Sequence, residues 1–141
     1  MNLGNAIALA ARGFEFKFDK AGKPYILHCL RVMNNLHTDD DELNIIAILH
    51  DCIEDGICTL TELIAAGYSQ RICIALLVLT HICEDTYEDY IKRVATNPDA
   101  IKVKLADLKD NSDITRLKGL TKKDFDRMEK YHKAYVYLSK V

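Results

Sequence analysis

Apolar residues recur three or four positions apart along almost the whole chain, as in Ile7-Leu9-Ala10, Leu30-Val32-Met33-Leu36, Ile72-Ile74-Leu76-Leu77-Leu79 and Ile91-Val94-Ala95. That spacing lays an apolar stripe along a helix. No segment sustains the period-two alternation of a half-buried strand. The pattern predicts an all-α domain, with helices near 2–12, 25–37, 40–54, 60–66, 69–83, 86–96, 98–109, 111–118 and 121–139. Pro24 suits a first helical turn, Thr59 and Thr61 are cap candidates, and Thr121 opens a T-x-x-D capping pattern with Asp124. Gly22, Gly56, Gly67 and Gly119 fall where helices should stop. Gly13 to Lys23 lacks periodicity and carries Lys17, Lys20 and Lys23, so it reads as an exposed basic loop.

The pattern changes character after Ile45. An apolar run through Leu49 leads straight into His50-Asp51, and Glu54-Asp55 follow one turn later. On a helix, Glu54 lies over His50 and Asp51, and Asp55 lies over Asp51. The residues between them are apolar, so this helix should be largely buried, and buried carboxylates are costly unless paired or bound to a metal. The bland alternative is a helix end that emerges into solvent. Matching ligands elsewhere favour the metal reading: His28 sits just after Pro24, and Asp107 lies in the helix expected over 98–109. Singly, each would be an ordinary solvated or hydrogen-bonded residue. Together, two His and two Asp form a mixed N/O set suited to Mn²⁺, Fe²⁺ or Mg²⁺ and less to a closed structural zinc site.

Composition narrows the class. At 141 residues the chain is long enough for one domain with a proper core, expected to span 1–141. Its 49% hydrophobic and 28% charged content is ordinary for a soluble globular protein. A net charge of −2 gives no global attraction to nucleic acid or to an anionic membrane. No apolar run is long enough for a membrane span, and Met1-Asn2-Leu3-Gly4-Asn5 has no basic signal-type segment. The five cysteines, an odd number without a C-x-x-C pair, read as reduced core residues. A cytoplasmic location is expected.

Three blocks carry a more specific signal. G-K-P-Y-I-L-H (22–28), L-H-D-C-I-E-D (49–55) and K-L-A-D-L-K-D-N (104–111) resemble, in order and spacing, the signatures of HD-domain metal-dependent phosphohydrolases. The nearest branch is the Rel/SpoT-type alarmone hydrolase domain, including its small single-domain members, and the resemblance covers roughly residues 5–138. It implies an HD-type helical bundle hydrolysing the 3′-pyrophosphate of (p)ppGpp. His28, His50, Asp51 and Asp107 would ligate one divalent ion, usually Mn²⁺, with Fe²⁺, Mg²⁺ or Zn²⁺ as alternatives. Glu54 and Asp55 match the catalytic acidic pair that orients or deprotonates the attacking water. On the substrate side, Lys17 and Lys20 fall in the phosphate-gripping loop. Asn111 matches an asparagine that contacts the nucleotide, and Tyr131 an aromatic residue at the nucleoside. Tyr25 and Lys104 belong to the same substrate set.

The departures from that pattern fall on the substrate side and leave the ligand set whole. The basic loop has only lysines where the alarmone hydrolases have an Arg-Lys pair, and lysine binds phosphate without arginine's bidentate fork. The family's K-L-A-D-R-L-H-N reads K-L-A-D-L-K-D-N here, losing an Arg and a His and gaining Asp110, and the usual His ahead of the basic loop is replaced around Arg12-Gly13. Two other readings therefore stand beside the first. One is an HD phosphohydrolase acting on a different phosphorylated nucleotide; the other is a catalytically idle nucleotide-binding module. A stand-alone domain acting on a small molecule is expected, and the sequence carries no sign of oligomeric state.

Overall fold

The computed structural model describes residues 1–141 and is all-helical. Eight α-helices run in the order α1 (Leu3–Gly13), α2 (Ile26–Asn34), α3 (Asp41–Leu49), α4 (Leu60–Ala65), α5 (Gln70–Leu79), α6 (Tyr87–Val94), α7 (Pro98–Asn111) and α8 (Lys122–Ser139), with a 3₁₀ turn at Ile114–Arg116. No helix is long and apolar enough to cross a membrane.

Local chemistry sets most of the starts. Asp40, Ser69, Thr86 and Asn97 accept hydrogen bonds from the third backbone N–H of α3, α5, α6 and α7, and Pro98 occupies the first turn of α7. Thr59–Glu62 and Thr121–Asp124 form capping boxes ahead of α4 and α8. Thr61, the other cap candidate, lies inside α4. The helix expected over 111–118 shrinks to the 3₁₀ turn, because Ser112 and Asp113 leave the α conformation and Asp113 caps Thr115 instead. The one expected over 69–83 ends at Leu79, where Thr80 turns its backbone to the extended region and returns its hydroxyl to the Leu76 carbonyl.

The helix expected over 40–54 shows the most informative difference. Regular α-winding stops at Leu49, and the chain continues as turns through Gly56. Cys52 N–H reaches back three residues to the Leu49 carbonyl, and a Schellman closure follows: Ile57 N–H bonds Cys52 O at 2.9 Å and Gly56 N–H bonds Ile53 O at 3.1 Å. Gly56 takes φ +74°, the left-handed conformation that this closure requires.

α3 is the centre of the molecule. Leu43 and every residue from Ile45 to Leu49 are buried, and α1, α2, α5 and α7 pack around it. α1 faces it with Ala6 and Ala10, small enough for close approach. Arg71 on α5 ties the starts of α3 and α7 together through Asp40 and Asp99. α8 lies on α7 and α6, burying Ala134 and Leu138. The loop between α1 and α2 carries an isolated antiparallel bridge, Phe18 to Pro24, which places Pro24 just ahead of α2. All five cysteines are free; four are buried and Cys83 is exposed, unlike the core position expected of it.

Candidate metal centre and adjoining cleft

Because α3 packs against both α2 and α7, residues from three distant segments reach one point. His28 comes from α2, His50 and Asp51 from the turn after α3, and Asp107 from α7. His28 Nε2 lies 3.0 Å from Asp107 Oδ1 and 3.8 Å from Asp51 Oδ2. His50 Nε2 lies 3.0 Å from Asp51 Oδ2 and 3.4 Å from Asp107 Oδ1. One donor atom each from His28, His50 and Asp107 falls within 4.8 Å of the others. Adjacent residues of a regular helix point about 100° apart; the tightened turn after Leu49 lets His50 and Asp51 address the same spot.

The donor set fits a divalent cation. Both Nε2 atoms are buried and lack a hydrogen-bond partner, a costly state for an interior polar atom. Both rings are oriented from the other side. His28 Nδ1–H donates to Asp110 Oδ2 at 2.6 Å, and His50 Nδ1–H donates to the Ala47 carbonyl at 2.7 Å. A carbonyl or an ionised carboxylate can only accept, so each neutral ring carries its lone pair on Nε2, facing the shared point. Burial pushes both histidines down, yet the carboxylates of Asp107 and Asp110 hold His28 above its ordinary value, and Asp51 and Asp107 hold His50 well above its own. Asp107 is itself held well below the carboxylate range: Lys104 and His50 outweigh its burial.

Other expected residues gather around this centre. Tyr25 donates its hydroxyl to Asp51 Oδ2 at 2.5 Å. Asn111 donates to Asp107 Oδ1 at 2.9 Å, and Lys104 pairs with Asp107 Oδ2 at 2.8 Å. Lys104 therefore contacts a carboxylate of the His/Asp cluster and does not line the neighbouring cavity, unlike the other substrate candidates. That cavity, about 290 Å³, brings Lys17, Lys20, Tyr25, Asn111 and Tyr131 into one wall together with His28. Lys17 Nζ sits 4.1 Å above the Tyr25 ring and pairs with Asp55. Glu54 is exposed and accepts the His81 backbone N–H at 2.8 Å, so its carboxylate is aimed by the segment after α5.

Three residues absent from the sequence expectation also belong to the site. Asp110 touches His28, while Arg116 and Arg127 line the cavity. Arg127 precedes Tyr131 by one helical turn, so its shared face was available from spacing. Arg116 follows a break in helical periodicity and carries no such signal.

No protein-family model matches the chain, and no curated protein matches it. Seven chains of solved structures do match. One is the structure of a metazoan ortholog of SpoT that hydrolyzes ppGpp and plays a role in starvation responses. It superposes with a TM-score of 0.80 at 21% sequence identity, over 96% of this chain and 84% of that one. The helices that carry the His/Asp cluster thus belong to an architecture that this chain shares, over nearly its whole length, with a SpoT-type protein.

Proposed function

We propose that this chain is a divalent-metal-dependent phosphohydrolase, and that it hydrolyses the 3′-pyrophosphate of (p)ppGpp. The observation that carries the reading is the pair of buried, partnerless imidazole nitrogens aimed with two carboxylates at one point, beside a cation-lined cavity. The fold shared with the SpoT ortholog supports the substrate class.

His28, His50, Asp51 and Asp107 would hold the ion, with Mn²⁺ our assignment. A divalent cation there supplies Lewis acidity, lowering the pKa of water and stabilising charge on phosphoryl oxygen. The chain's own groups do the rest. Glu54 takes the proton of the attacking water. The water oxygen bonds to phosphorus, the bond from that phosphorus to the ribose 3′ oxygen breaks, and pyrophosphate leaves. Asp55, held by Lys17, positions the water, and the departing 3′ oxygen takes up the proton that Glu54 has accepted. Lys17 and Lys20 grip the phosphates, Tyr131 and Asn111 address the nucleoside, and Tyr25 and Lys104 steady Asp51 and Asp107. Residues 1–141 work as a single domain in the cytoplasm, consistent with the free cysteines.

The test is a panel of nucleotides phosphorylated at the 2′, 3′ or 5′ position, incubated with Mn²⁺-loaded protein and resolved chromatographically. Release of pyrophosphate from ppGpp faster than phosphate from any other member supports the reading. Faster turnover of a different nucleotide would reassign the substrate, and metal binding with no turnover at all would leave a binding module.

A further inference from the structure

We propose that Asp110 is the positioning residue of the metal centre: it fixes the tautomer and aim of His28 and links that ligand, through Arg116 and Asp19, to the lysine-bearing loop. The inference rests on the metal-centre reading above. Asp110 is only 5% exposed and uses both carboxylate oxygens. Oδ2 accepts His28 Nδ1–H at 2.6 Å, Oδ1 accepts Arg31 Nε–H at 2.7 Å, and Arg116 Nη2 lies 3.4 Å from Oδ2 while bonding the Asp110 main-chain oxygen at 2.8 Å.

A carboxylate clasped by two guanidiniums stays ionised and can only accept. His28 must therefore give it Nδ1–H and turn Nε2 to the shared point. The two histidines differ here. His50 is aimed by the Ala47 carbonyl, a backbone group three residues away. His28 is aimed by a side chain 82 positions away, so its orientation depends on one replaceable residue.

The connection continues outward. Arg116 Nη1 donates to Asp19 Oδ2 at 3.1 Å. Asp19 Oδ1 in turn accepts the backbone N–H groups of Ala21 and Lys23, each at 2.9 Å, which closes the turn that carries Lys20. Loop, 3₁₀ turn, α7 and α2 are thereby joined by one run of charge-assisted hydrogen bonds, and the anion-facing loop is registered against a metal ligand. Replacing a buried charge network by apolar packing often stabilises a protein. Stability alone therefore does not account for this network.

The experiment titrates Mn²⁺ calorimetrically into wild type, D110A, D110N and R116Q, and records histidine side-chain ¹⁵N spectra of the metal-free proteins at a pH alkaline enough to leave His28 and His50 neutral. Wild type should bind Mn²⁺ and show His28 as the Nδ1–H tautomer. D110A should weaken Mn²⁺ by roughly 10–100-fold, as loss of an orienting partner does, and shift the His28 tautomer while leaving His50 unchanged. D110N keeps an accepting oxygen and should recover most of that affinity. R116Q leaves Asp110 on His28, so Mn²⁺ affinity should stay within about threefold, while inorganic pyrophosphate binding weakens because the loop loses its anchor and the cavity wall loses a cation. Wild-type Mn²⁺ affinity in D110A, or equal losses in D110A and D110N, would overturn the proposal. If D110A does not fold, D110N decides: Mn²⁺ affinity that tracks the fraction of Nδ1–H on His28 supports positioning, and affinity lost with Nδ1–H intact overturns it. A wild-type protein that binds no divalent ion would instead overturn the metal reading itself.

Discussion

The hydroxyl of Tyr25 donates to Asp51 Oδ2 at 2.5 Å, and the same ring lies under Lys17 Nζ at 4.1 Å. One aromatic side chain thus touches a carboxylate of the His/Asp cluster with its polar tip and a cavity-lining cation with its face. Burial and the Asp51 charge both raise the Tyr25 hydroxyl's pKa, so it remains a donor at any working pH. The two contacts can be separated. Tyr25→Phe removes the hydrogen bond and keeps the cation–π face, so Mn²⁺ affinity should fall about tenfold, in the range for loss of an outer-shell partner. The KM for substrate, measured at saturating metal, should move much less. Calorimetry of the variant checks the first statement and steady-state kinetics the second.

Glu54 and Asp51 stand three residues apart in one turn but should fail differently. Glu54→Gln should keep Mn²⁺ and lose about 10²–10⁴-fold in turnover, the usual cost of removing a general base. Asp51→Asn should lose the metal. Metal content by elemental analysis, set beside kcat, reads the difference. Equal loss of metal in both variants would show that Glu54 is a ligand.

The four residues proposed as ligands stand out in the sequence because each lies in a short local pattern: His28 behind Pro24, His50-Asp51 at the end of an apolar run, Asp107 on a periodic helix. Caps at Thr59 and Thr121 were legible for the same reason, since a capping box spans four residues. What escaped was long-range or sub-helical. The Asp110–His28 and Arg116–Asp19 contacts join residues 82 and 97 positions apart, and no periodicity encodes such pairs. The early end of α3 escaped because the apolar pattern continues through Cys52 and Ile53 while the winding tightens. Tertiary packing decides that step, and it also sets where Glu54 points.

Gly13 records another contact that spacing does not reveal. A Cβ built on it would lie 2.2 Å from Ile57 Cγ2 and 2.8 Å from Cδ1. α1 therefore approaches the turn after His50 too closely for a side chain. Gly13→Ala should destabilise by about 1–3 kcal/mol through overpacking, seen as a lower midpoint in urea. Ile57→Ala in the same chain should recover part of that loss, giving a coupling energy of opposite sign to the single effect. Strict additivity of the two changes would show that the clash is relieved elsewhere.

Arg71 supplies a pH signature of folding. Its hydrogen bonds hold Asp40 and Asp99 below their ordinary value of 3.8, and Asp99 accepts from both Nε and Nη2 of Arg71, each at 2.9 Å. A carboxyl whose pKa is depressed in the folded state contributes stability above its unfolded pKa and loses it as pH falls through the folded value. Thermal stability should therefore drop more steeply below about pH 4 in wild type than in Arg71→Gln. Both partners are partly exposed, so added salt should shrink the difference. Parallel acid limbs for the two proteins would remove Arg71 from the account.

Substrate choice turns on the cavity wall. Lys17 and Lys20 both line it, but Lys17 also holds Asp55 while Lys20 does not. Lys20→Ala should therefore raise KM and spare kcat, as loss of uniform binding does, whereas Lys17→Ala should move both. Tyr131 is half-buried, lines the same cavity as Asn111 and Arg127, and also packs against the core. Under the proposed function its ring offers a stacking face for the nucleoside, and stacking is worth about 1–3 kcal/mol per base in single-stranded nucleic-acid sites. Tyr131→Ala should therefore weaken ppGpp about 5–150-fold in kcat/KM on that scale, and weaken an acyclic phosphoester far less. Tyr131→Phe keeps the face and should restore the preference. A packing role predicts the opposite pattern: a lower melting temperature and an equal loss on every substrate, because a loosened α8 would disturb the wall without regard to what it holds.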